Sequence, residues 1–200
     1  MQLRTPSDSF PPYTGQDNTA FPIPSENSEG SSVLCLLRRA VPGDAAQVQR
    51  IISEALEVYC RASSIHKSQL AAGQEGIPEI EKLIGESLFF VAETQERIVG
   101  TVRLTFPEWD SLLPADGTHG RICYISRYYV DPAYHSKGIG NRLLRLAFAC
   151  AEQEKAGTTL LHTALANKPM IEYYTRKGFT LLSENHEGSY PRGLFCKMLP

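Results

Sequence analysis

The sequence contains no C-x-x-C pair, no run of about 18 apolar residues and no stretch that resembles a secretory signal. Its five cysteines are scattered and odd in number, which argues against a disulfide framework and against a zinc site. We therefore expect a reduced, cytoplasmic protein that is not secreted and does not span a membrane.

Neither sign of charge is in large excess. The 20 Lys and Arg residues are nearly matched by 22 Asp and Glu residues, which gives a formal net charge of -2. A protein that binds nucleic acid or an anionic membrane through its overall field needs a basic balance. We expect neither partner, so any binding site has to be found in local features.

Several motifs typical of other chemistries are also missing. The sequence has no H-E-x-x-H or paired Cys/His spacing, so no metal is expected. It has no G-x-S-x-G nucleophile elbow and no G-x-x-x-x-G-K-[ST] phosphate loop. The segment GIGNRL, residues 138–143, lacks the third glycine of the dinucleotide fingerprint. A nucleotide-binding protein is therefore a weak alternative.

Residues 1–32 are dominated by Pro, Ser, Asn, Asp and Gly and have neither a helical nor a strand period. Such a segment cannot bury enough apolar surface to order itself, so we expect a flexible N-terminal tail. Four spaced apolar residues leave a second interpretation open, in which the tail docks on the domain or on a partner. They are Phe10, Tyr13, Phe21 and Ile23.

From Val33 onward the pattern changes to apolar runs and amphipathic segments, which predict one α/β domain over residues 33–200. Short apolar runs predict seven strands, at 33–41, 88–94, 97–106, 121–130, 158–165, 179–186 and 193–199. Helical spacing predicts four helices, at about 45–59, 77–87, 139–150 and 168–177. The apolar stripe of the third helix is expected to be Ile139, Leu143, Leu146, Ala147 and Cys150.

Two glycines, Gly138 and Gly140, stand in the first turn of the third predicted helix, although each costs about 1 kcal/mol relative to Ala there. A helix N-terminus exposes unpaired N–H groups and positive potential, and glycine lets an anion approach them closely. Five basic residues and one acid, Asp131, surround this turn. The basic residues are Arg121, Arg127, Lys137, Arg142 and Arg145. The segment is either a polyphosphate site or merely a tight turn with a solvated basic face.

Two motifs around this turn carry a family resemblance. Val-Asp-Pro, residues 130–132, is followed by His135-Ser-Lys-Gly138-Ile-Gly140, and NKPMIEYYTRKGF runs over residues 167–179. In both respects the sequence resembles the GNAT superfamily of acyl-CoA-dependent N-acyltransferases, over residues 33–199. The resemblance implies a single GNAT-like domain of α/β class. Its mixed, mostly antiparallel sheet of six to seven strands is splayed at the central parallel pair and flanked by four helices.

The resemblance also implies where acetyl-CoA, the acyl donor, binds. The pyrophosphate is expected on backbone amides of the glycine turn, and the pantetheine arm beside the preceding strand, with Asn167 as a further contact or as a helix cap. The expected binding residues are Tyr128, Tyr129, Val130, His135, Ser136, Lys137, Gly138, Ile139, Gly140, Asn141, Asn167 and Tyr174. The family has Arg or Gln where this chain has His135, whose charge depends on pH.

Acetyl transfer to an amine needs a base for the amine and an acid for the departing thiolate. Tyr174 lies where many family members place the acid, and a phenol stays protonated at neutral pH; packing is the alternative role, and the one expected for Tyr173. His162 lies where the ribosomal-protein N-terminal acetyltransferases place a catalytic Glu, so we expect it as the base; a structural role on its strand is the alternative. Glu93 and a water chain are its competitors.

The sequence thus predicts an N-acetyltransferase that uses direct attack in a ternary complex. The alternative is a non-catalytic acyl-CoA-binding regulatory module of the same fold. The acceptor stays open between a small-molecule amine and a protein N-terminus or lysine, because the acceptor pocket is built from loops without a shared code. The oligomeric state is also open, with a homodimer as the assembly that the resemblance suggests.

Overall fold

The computed structural model describes residues 19–24, 32–95, 97–108 and 121–200. Within these residues the chain forms eight strands and four α-helices. The strands are β1 (Thr19–Pro24), β2 (Ser32–Arg39), β3 (Leu88–Glu93), β4 (Ile98–Thr105), β5 (Arg121–Val130), β6 (Ala156–Ala164), β7 (Thr180–Asn185) and β8 (Arg192–Met198). The helices are α1 (Ala45–Ser63), α2 (Ile77–Gly85), α3 (Ile139–Gln153) and α4 (Lys168–Arg176).

The strands form one sheet in the order β1-β2-β3-β4-β5-β6-β8-β7. Every neighbouring pair is antiparallel except β5 and β6, which are parallel. The parallel pairing ends where Tyr124 meets Leu160, although β5 continues to Val130. The two strands therefore separate over the second half of β5, and the predicted splay at the central parallel pair is confirmed.

The first strand differs from the expectation for the N-terminal segment. Residues 19–24 pair with β2, with Phe21 opposite Cys35 and Ile23 opposite Val33. Phe21 is 4% exposed and Ile23 is 1% exposed. The prediction of a flexible tail is wrong for these six residues, because burial of two alternate apolar side chains on the sheet orders them. Phe10 and Tyr13 lie outside the described residues.

The helices cover the two faces of the sheet. Phe89 packs with α1 and α2, whereas the adjacent Phe90 packs with α3, as expected for neighbouring strand residues that point to opposite faces. The predicted stripe of α3 is buried except for Leu146, which is partly buried, and Leu144 is buried in addition. None of the helices in the described chain is long and apolar enough to cross a membrane.

A bulge interrupts the pairing of β4 with β5 beside the splay. The register shifts between Thr101 and Arg103, and Arg127 on the opposite strand has a φ of 47°. The Thr101 hydroxyl donates to the Arg127 carbonyl over 2.7 Å, which holds this irregular backbone in place. The bulge re-aims the β5 side chains where the strands separate.

Candidate functional site

The glycine turn forms the N-terminus of α3, as predicted. Gly138 is the residue before the first helical turn, and its φ of 82° is in the left-handed region that favours glycine. The backbone N–H groups of residues 138–141 donate no hydrogen bond to the described part of the chain. Four adjacent free donors at a helix N-terminus can bind an anion such as a pyrophosphate.

Gly140 has a steric role that the sequence did not predict. A Cβ at this position would lie 2.7 Å from the Tyr128 hydroxyl oxygen and 3.5 Å from Val130 Cγ2. The glycine therefore lets β5 and the start of α3 approach each other closely. Its presence is explained by the packing of Tyr128 as well as by access to the backbone.

A chain of three polar side chains connects β5, α4 and α3. The hydroxyl oxygens of Tyr128 and Tyr173 are 2.6 Å apart, and the Tyr173 hydroxyl donates to Asn141 Oδ1 over 3.2 Å. The two rings are also stacked, with centroids 6.3 Å apart. Tyr173 is thus more than the packing residue expected from its position on α4. No local sequence signal could have found it, because its partners are distant in the chain.

The remaining residues of the turn are exposed or partly buried. His135 is exposed, and its Nε2 lies 3.1 Å from the Val130 carbonyl oxygen, so the ring contacts the end of β5. Ser136 is exposed with a φ of 63°. Lys137 has its Nζ 4.8 Å from the centre of the Tyr134 ring. Backbone amides, more than charged side chains, are thus the donors that the turn presents.

The basic stretch does not form one continuous field. Arg121 is bonded to Glu154 over 2.6 Å, and Arg127 is paired with Glu75 on the other side of the sheet. The Arg142 guanidinium lies 4.1 Å from the centre of the Phe21 ring. Together with Lys137 over the Tyr134 ring, four of the five predicted cations therefore have other partners, which is a correction to the simple charge count.

Tyr129 and Val130 are the last two residues of β5, in the part of the strand that does not pair with β6. The Tyr129 ring packs against the core beneath α1 and α2, and burial raises the pKa of its hydroxyl well above the usual range. Val130 is partly buried and packs on the opposite core. Both residues lie where β5 has no β6 neighbour, so their backbone is placed to pair with an extended ligand arm.

Asn167 is a helix cap with a second structural role. Its Oδ1 accepts from the Met170 N–H over 3.2 Å, and its Nδ2 donates to Ser63 Oγ over 2.9 Å. Ser63 in turn donates to the Tyr59 carbonyl, and the Tyr59 hydroxyl accepts from the Ala164 N–H over 2.7 Å. At 1% exposure, Asn167 joins the start of α4 to α1 and β6.

The Tyr174 side chain is buried at 6% exposure, in contact with the rings of Tyr128, Tyr173 and Phe179. Its hydroxyl has no hydrogen-bond partner among the described residues. Burial raises the pKa of the phenol well above its ordinary value of 10.0. A neutral phenol with an unused proton is suited to donate to a developing thiolate.

His162 is on β6, and its Nδ1 lies 2.9 Å from the Tyr124 hydroxyl oxygen. Burial, with a smaller effect from the charge of Arg192, lowers the pKa of the imidazole to about 4. The ring is therefore neutral at pH 7 and able to accept a proton. Tyr124 was not predicted as a site residue, because the contact depends on the pairing of β5 with β6.

The competing base, Glu93, is held by another side chain. Glu93 accepts from Arg38 Nε over 2.6 Å, so its carboxylate is held by an ion pair. In the described ranges no group of three or more His, Cys, Asp or Glu side chains could hold a metal ion.

The comparisons with known proteins agree with this geometry. Residues 53–179 match the model of the Acetyltransferase (GNAT) family. An uncharacterised N-acetyltransferase of Bacillus subtilis, YhfO, is 27% identical over 143 residues, which cover 72% of this chain and 88% of that protein. The S-(2-succino)cysteine N-acetyltransferase of Bacillus subtilis is 28% identical over 153 residues, or 76% and 87% of the two chains.

Solved structures share the fold. The PaiA N-acetyltransferase of Thermoplasma acidophilum, in complex with coenzyme A, superposes with a TM-score of 0.67 at 15% identity, covering 82% of this chain and 99% of that one. The ribosomal-protein-S18-alanine N-acetyltransferase of Escherichia coli gives a TM-score of 0.60 at 15% identity, covering 82% and 93%. The family match spans more than half of the chain, so this protein belongs to the GNAT family of acetyltransferases.

Proposed function

We propose that the protein is an N-acetyltransferase in which a primary amine attacks acetyl-CoA directly in a ternary complex. The observation that carries the proposal is the splay of β5 and β6, with the free amides of α3 at one end and the Tyr174 hydroxyl beside it. This arrangement provides a binding site for an anion, an extended backbone segment that can pair with a ligand, and a proton donor next to each other. We propose that the residues expected from the sequence to bind acetyl-CoA make the remaining contacts to it.

The proposed reaction breaks one bond and forms another. The amine nitrogen forms a bond to the acetyl carbon, and the carbon–sulfur bond breaks. Tyr174 gives its proton to the departing sulfur, which avoids the release of a free thiolate. The proton lost by the amine passes to His162, whose neutral ring accepts it, and solvent then restores both side chains.

His162 is proposed as the base because its ring is neutral and the competing carboxylate is already paired. Its ring is neutral at pH 7 because burial lowers its pKa to about 4, and the Arg38 ion pair occupies the competing Glu93. A base of such low pKa has little driving force for a fully protonated amine, so the acceptor has to enter as the neutral amine. The acidic limb of kcat/KM is then expected from the amine as well as from His162.

We also propose that the protein resides in a reducing compartment. All five cysteines are free thiols in the structure, and four of them are buried. This pattern is typical of proteins kept reduced in the cytoplasm.

Calorimetry with acetyl-CoA, followed by a transfer assay with a panel of amines, tests the proposal. We expect acetyl-CoA to bind at micromolar to millimolar concentration and at least one amine to be acetylated without a burst of acyl-enzyme. Absence of binding at millimolar acetyl-CoA would overturn the proposal. Binding without turnover of any amine would instead favour the non-catalytic regulatory module.

A further inference from the structure

Three polar side chains of β4 and β5 lie on the face of the sheet that α1 and α2 pack against. Arg103 on β4 is directly opposite Ser126, and Tyr124 is two residues from Ser126 along β5. Directly opposite and alternate strand residues share a face. Phe89 is opposite Arg103 on the other side and belongs to the core beneath α1 and α2, which identifies the face.

The neighbouring strands extend this surface. Leu194 of β8 is opposite His162 of β6, and Arg192, two residues earlier, is opposite Ala164. Arg192 and His162 therefore share a face. The 2.9 Å contact between the Tyr124 hydroxyl and His162 Nδ1 joins the two halves. We call Arg103, Tyr124, His162 and Arg192 the arginine face.

The positive charge of the arginine face is not matched by acids. Arg103 donates its Nε to Ser87 Oγ over 3.0 Å, and no carboxylate in the described chain forms an ion pair with it. Burial and the charge of Arg127 lower the pKa of Arg103, as expected of a guanidinium without a close anion. Arg192 is exposed and has no ion-pair partner in the described ranges either.

The nearby acids are already engaged. Glu75 is bonded to Arg127 through both carboxylate oxygens. Glu86 acts on Arg103 from a distance and lies 4.0 Å from Lys82. The charges of Arg127, Arg192 and Arg103 all act on Tyr124. The Tyr124 hydroxyl is therefore close to several guanidinium groups, of which Arg103 and Arg192 have no ion-pair partner among the described residues.

A further hydrogen-bonding group is unused beside these charges. Ser126 Oγ is buried and has no hydrogen-bond partner among the described residues. Unpaired buried hydroxyls are uncommon in folded proteins, because each loses its bonds to water. Ser126 is opposite Arg103 and two residues from Tyr124 on the same face, so this unpaired hydroxyl lies beside the charges of that face.

The chemistry of these groups matches a carboxylate. A planar guanidinium binds a carboxylate through two parallel hydrogen bonds, and a half-buried guanidinium without an anion gains most from doing so. The Tyr124 hydroxyl oxygen lies 2.9 Å from His162 Nδ1, which places this surface beside the proposed base. A carboxylate held on the arginine face therefore keeps the attached amine within reach of the thioester.

We propose that the arginine face binds the acceptor through a carboxylate, so that the acceptor is a small amine of the amino-acid type. The inference rests on the proposed N-acetyltransferase function and names its acceptor class. Polyamines and other polycationic amines are poor acceptors, because the same arginines repel them. A lysine side chain on a protein surface is also a poor acceptor, since it carries no carboxylate of its own near the amine.

The test uses the full chain, saturating acetyl-CoA and a panel of free amino acids, each compared with its own carboxamide and with a polyamine. The concentration of neutral amine is matched by pH, since the carboxamide changes the pKa of the amine. We expect kcat/KM for the carboxylate form to exceed that for the carboxamide about tenfold or more, as for a charged hydrogen bond. Equal rates for the two forms, or a preference for the polyamine, would overturn the inference.

Two variants test whether Arg103 and Arg192 cause the preference for the carboxylate form of the acceptor. Arg103→Gln and Arg192→Gln should each raise KM for the amino acid about tenfold while changing the values for its carboxamide and for acetyl-CoA little. Arg176→Gln is the control, because it also removes one positive charge, from a 67% exposed position on the other face of the sheet. It should leave KM for the amino acid, its carboxamide and acetyl-CoA unchanged. If Arg103→Gln fails to fold, Arg192→Gln still decides the matter, because its side chain is exposed.

The outcomes separate this inference from the proposed function. Loss of the carboxylate preference in the arginine variants, with acetyl-CoA affinity retained, supports both. Acetylation of amines without regard to a carboxylate overturns the arginine face and leaves the acetyltransferase intact. If acetyl-CoA does not bind, or binds and no amine is acetylated, the acetyltransferase proposal and the inference fall together.

Discussion

The hydroxyl oxygen of Tyr128 lies 2.7 Å from the position that a Cβ of residue 140 would occupy. This distance is too short for an unstrained contact, so the glycine and the tyrosine depend on each other. The same hydroxyl is bonded to Tyr173 over 2.6 Å, which limits how far it can retreat.

Gly140→Ala should therefore destabilise the protein and weaken acetyl-CoA binding, although alanine is better in a helix by about 1 kcal/mol. In a Tyr128→Phe background the clash with the hydroxyl is gone, and Gly140→Ala should become neutral or stabilising. Melting temperatures of the four proteins of this cycle provide the measurement. An identical shift in both backgrounds would exclude the steric explanation.

Tyr174→Phe should lower kcat about 100-fold with little change in KM, because it removes only the proposed proton donor. Since burial raises the pKa of this phenol, the wild-type enzyme should show no loss of activity from its ionisation at moderately basic pH. Steady-state kinetics with varied acceptor check both statements. Tyr173→Phe is the control, and a kcat for Tyr174→Phe equal to that of the control would contradict the acid role.

His162→Gln should flatten the dependence of stability on pH between about pH 4 and 6.5. The imidazole has a folded-state pKa of about 4 and an ordinary pKa of 6.5, so in this window the unfolded chain binds a proton that the folded chain does not. The free energy of unfolding of the wild type should thus rise with pH there and stay level above it. Urea titrations at several pH values measure this, with the 61% exposed His186 replaced by Gln as the control. A slope unchanged in His162→Gln would show that the ring is not buried as described.

Glu75→Ala should cost about 3 kcal/mol in the free energy of unfolding, because it leaves the Arg127 charge partly buried without an anion. The two side chains are only 14% and 16% exposed. The matched control is Glu172→Ala, which breaks the exposed pair with Arg176 and should cost less than about 0.5 kcal/mol. The double variant Glu75→Ala, Arg127→Met should recover part of the loss. Equal costs for the two single variants would contradict the description of the Glu75 pair.

Ile23→Ala should destabilise the protein by about 2 kcal/mol or more, since the side chain is fully buried on the sheet. Ala20→Ser, on the exposed side of the same strand, should have little effect. Thermal or urea unfolding of the full chain distinguishes an ordered strand from a free tail. If Ile23→Ala unfolds like the wild type, residues 19–24 are not part of the folded domain.

The sequence predicted the elements whose signals are local. The two-residue period of Ile98 to Phe106 indicates a strand, and the spacing of Ile139, Leu143 and Ala147 indicates the helix that follows the glycine turn. Both elements form as predicted. The splay and the parallel pair followed from the resemblance, because no local pattern states where two strands separate.

The features that were missed depend on contacts between distant residues. Tyr128 and Tyr173 are 45 residues apart, and Arg127 and Glu75 are 52 residues apart, so neither pair leaves a sequence period. Arg103 and Arg192 share a face only because of strand order. β1 was missed for another reason, since its two prolines lower the strand propensity of a short segment that lies within a mostly polar stretch.

The two prolines of β1 affect whether another chain can pair with the edge of the sheet. Pro22 and Pro24 alternate along β1, opposite Leu34 and Ser32 of β2, and proline has no N–H to offer. An outer strand whose alternate residues lack donors is a poor template for another chain. Among the described residues β1 is the outer strand on this side of the sheet, and a second copy of the protein cannot readily be added to it by backbone pairing.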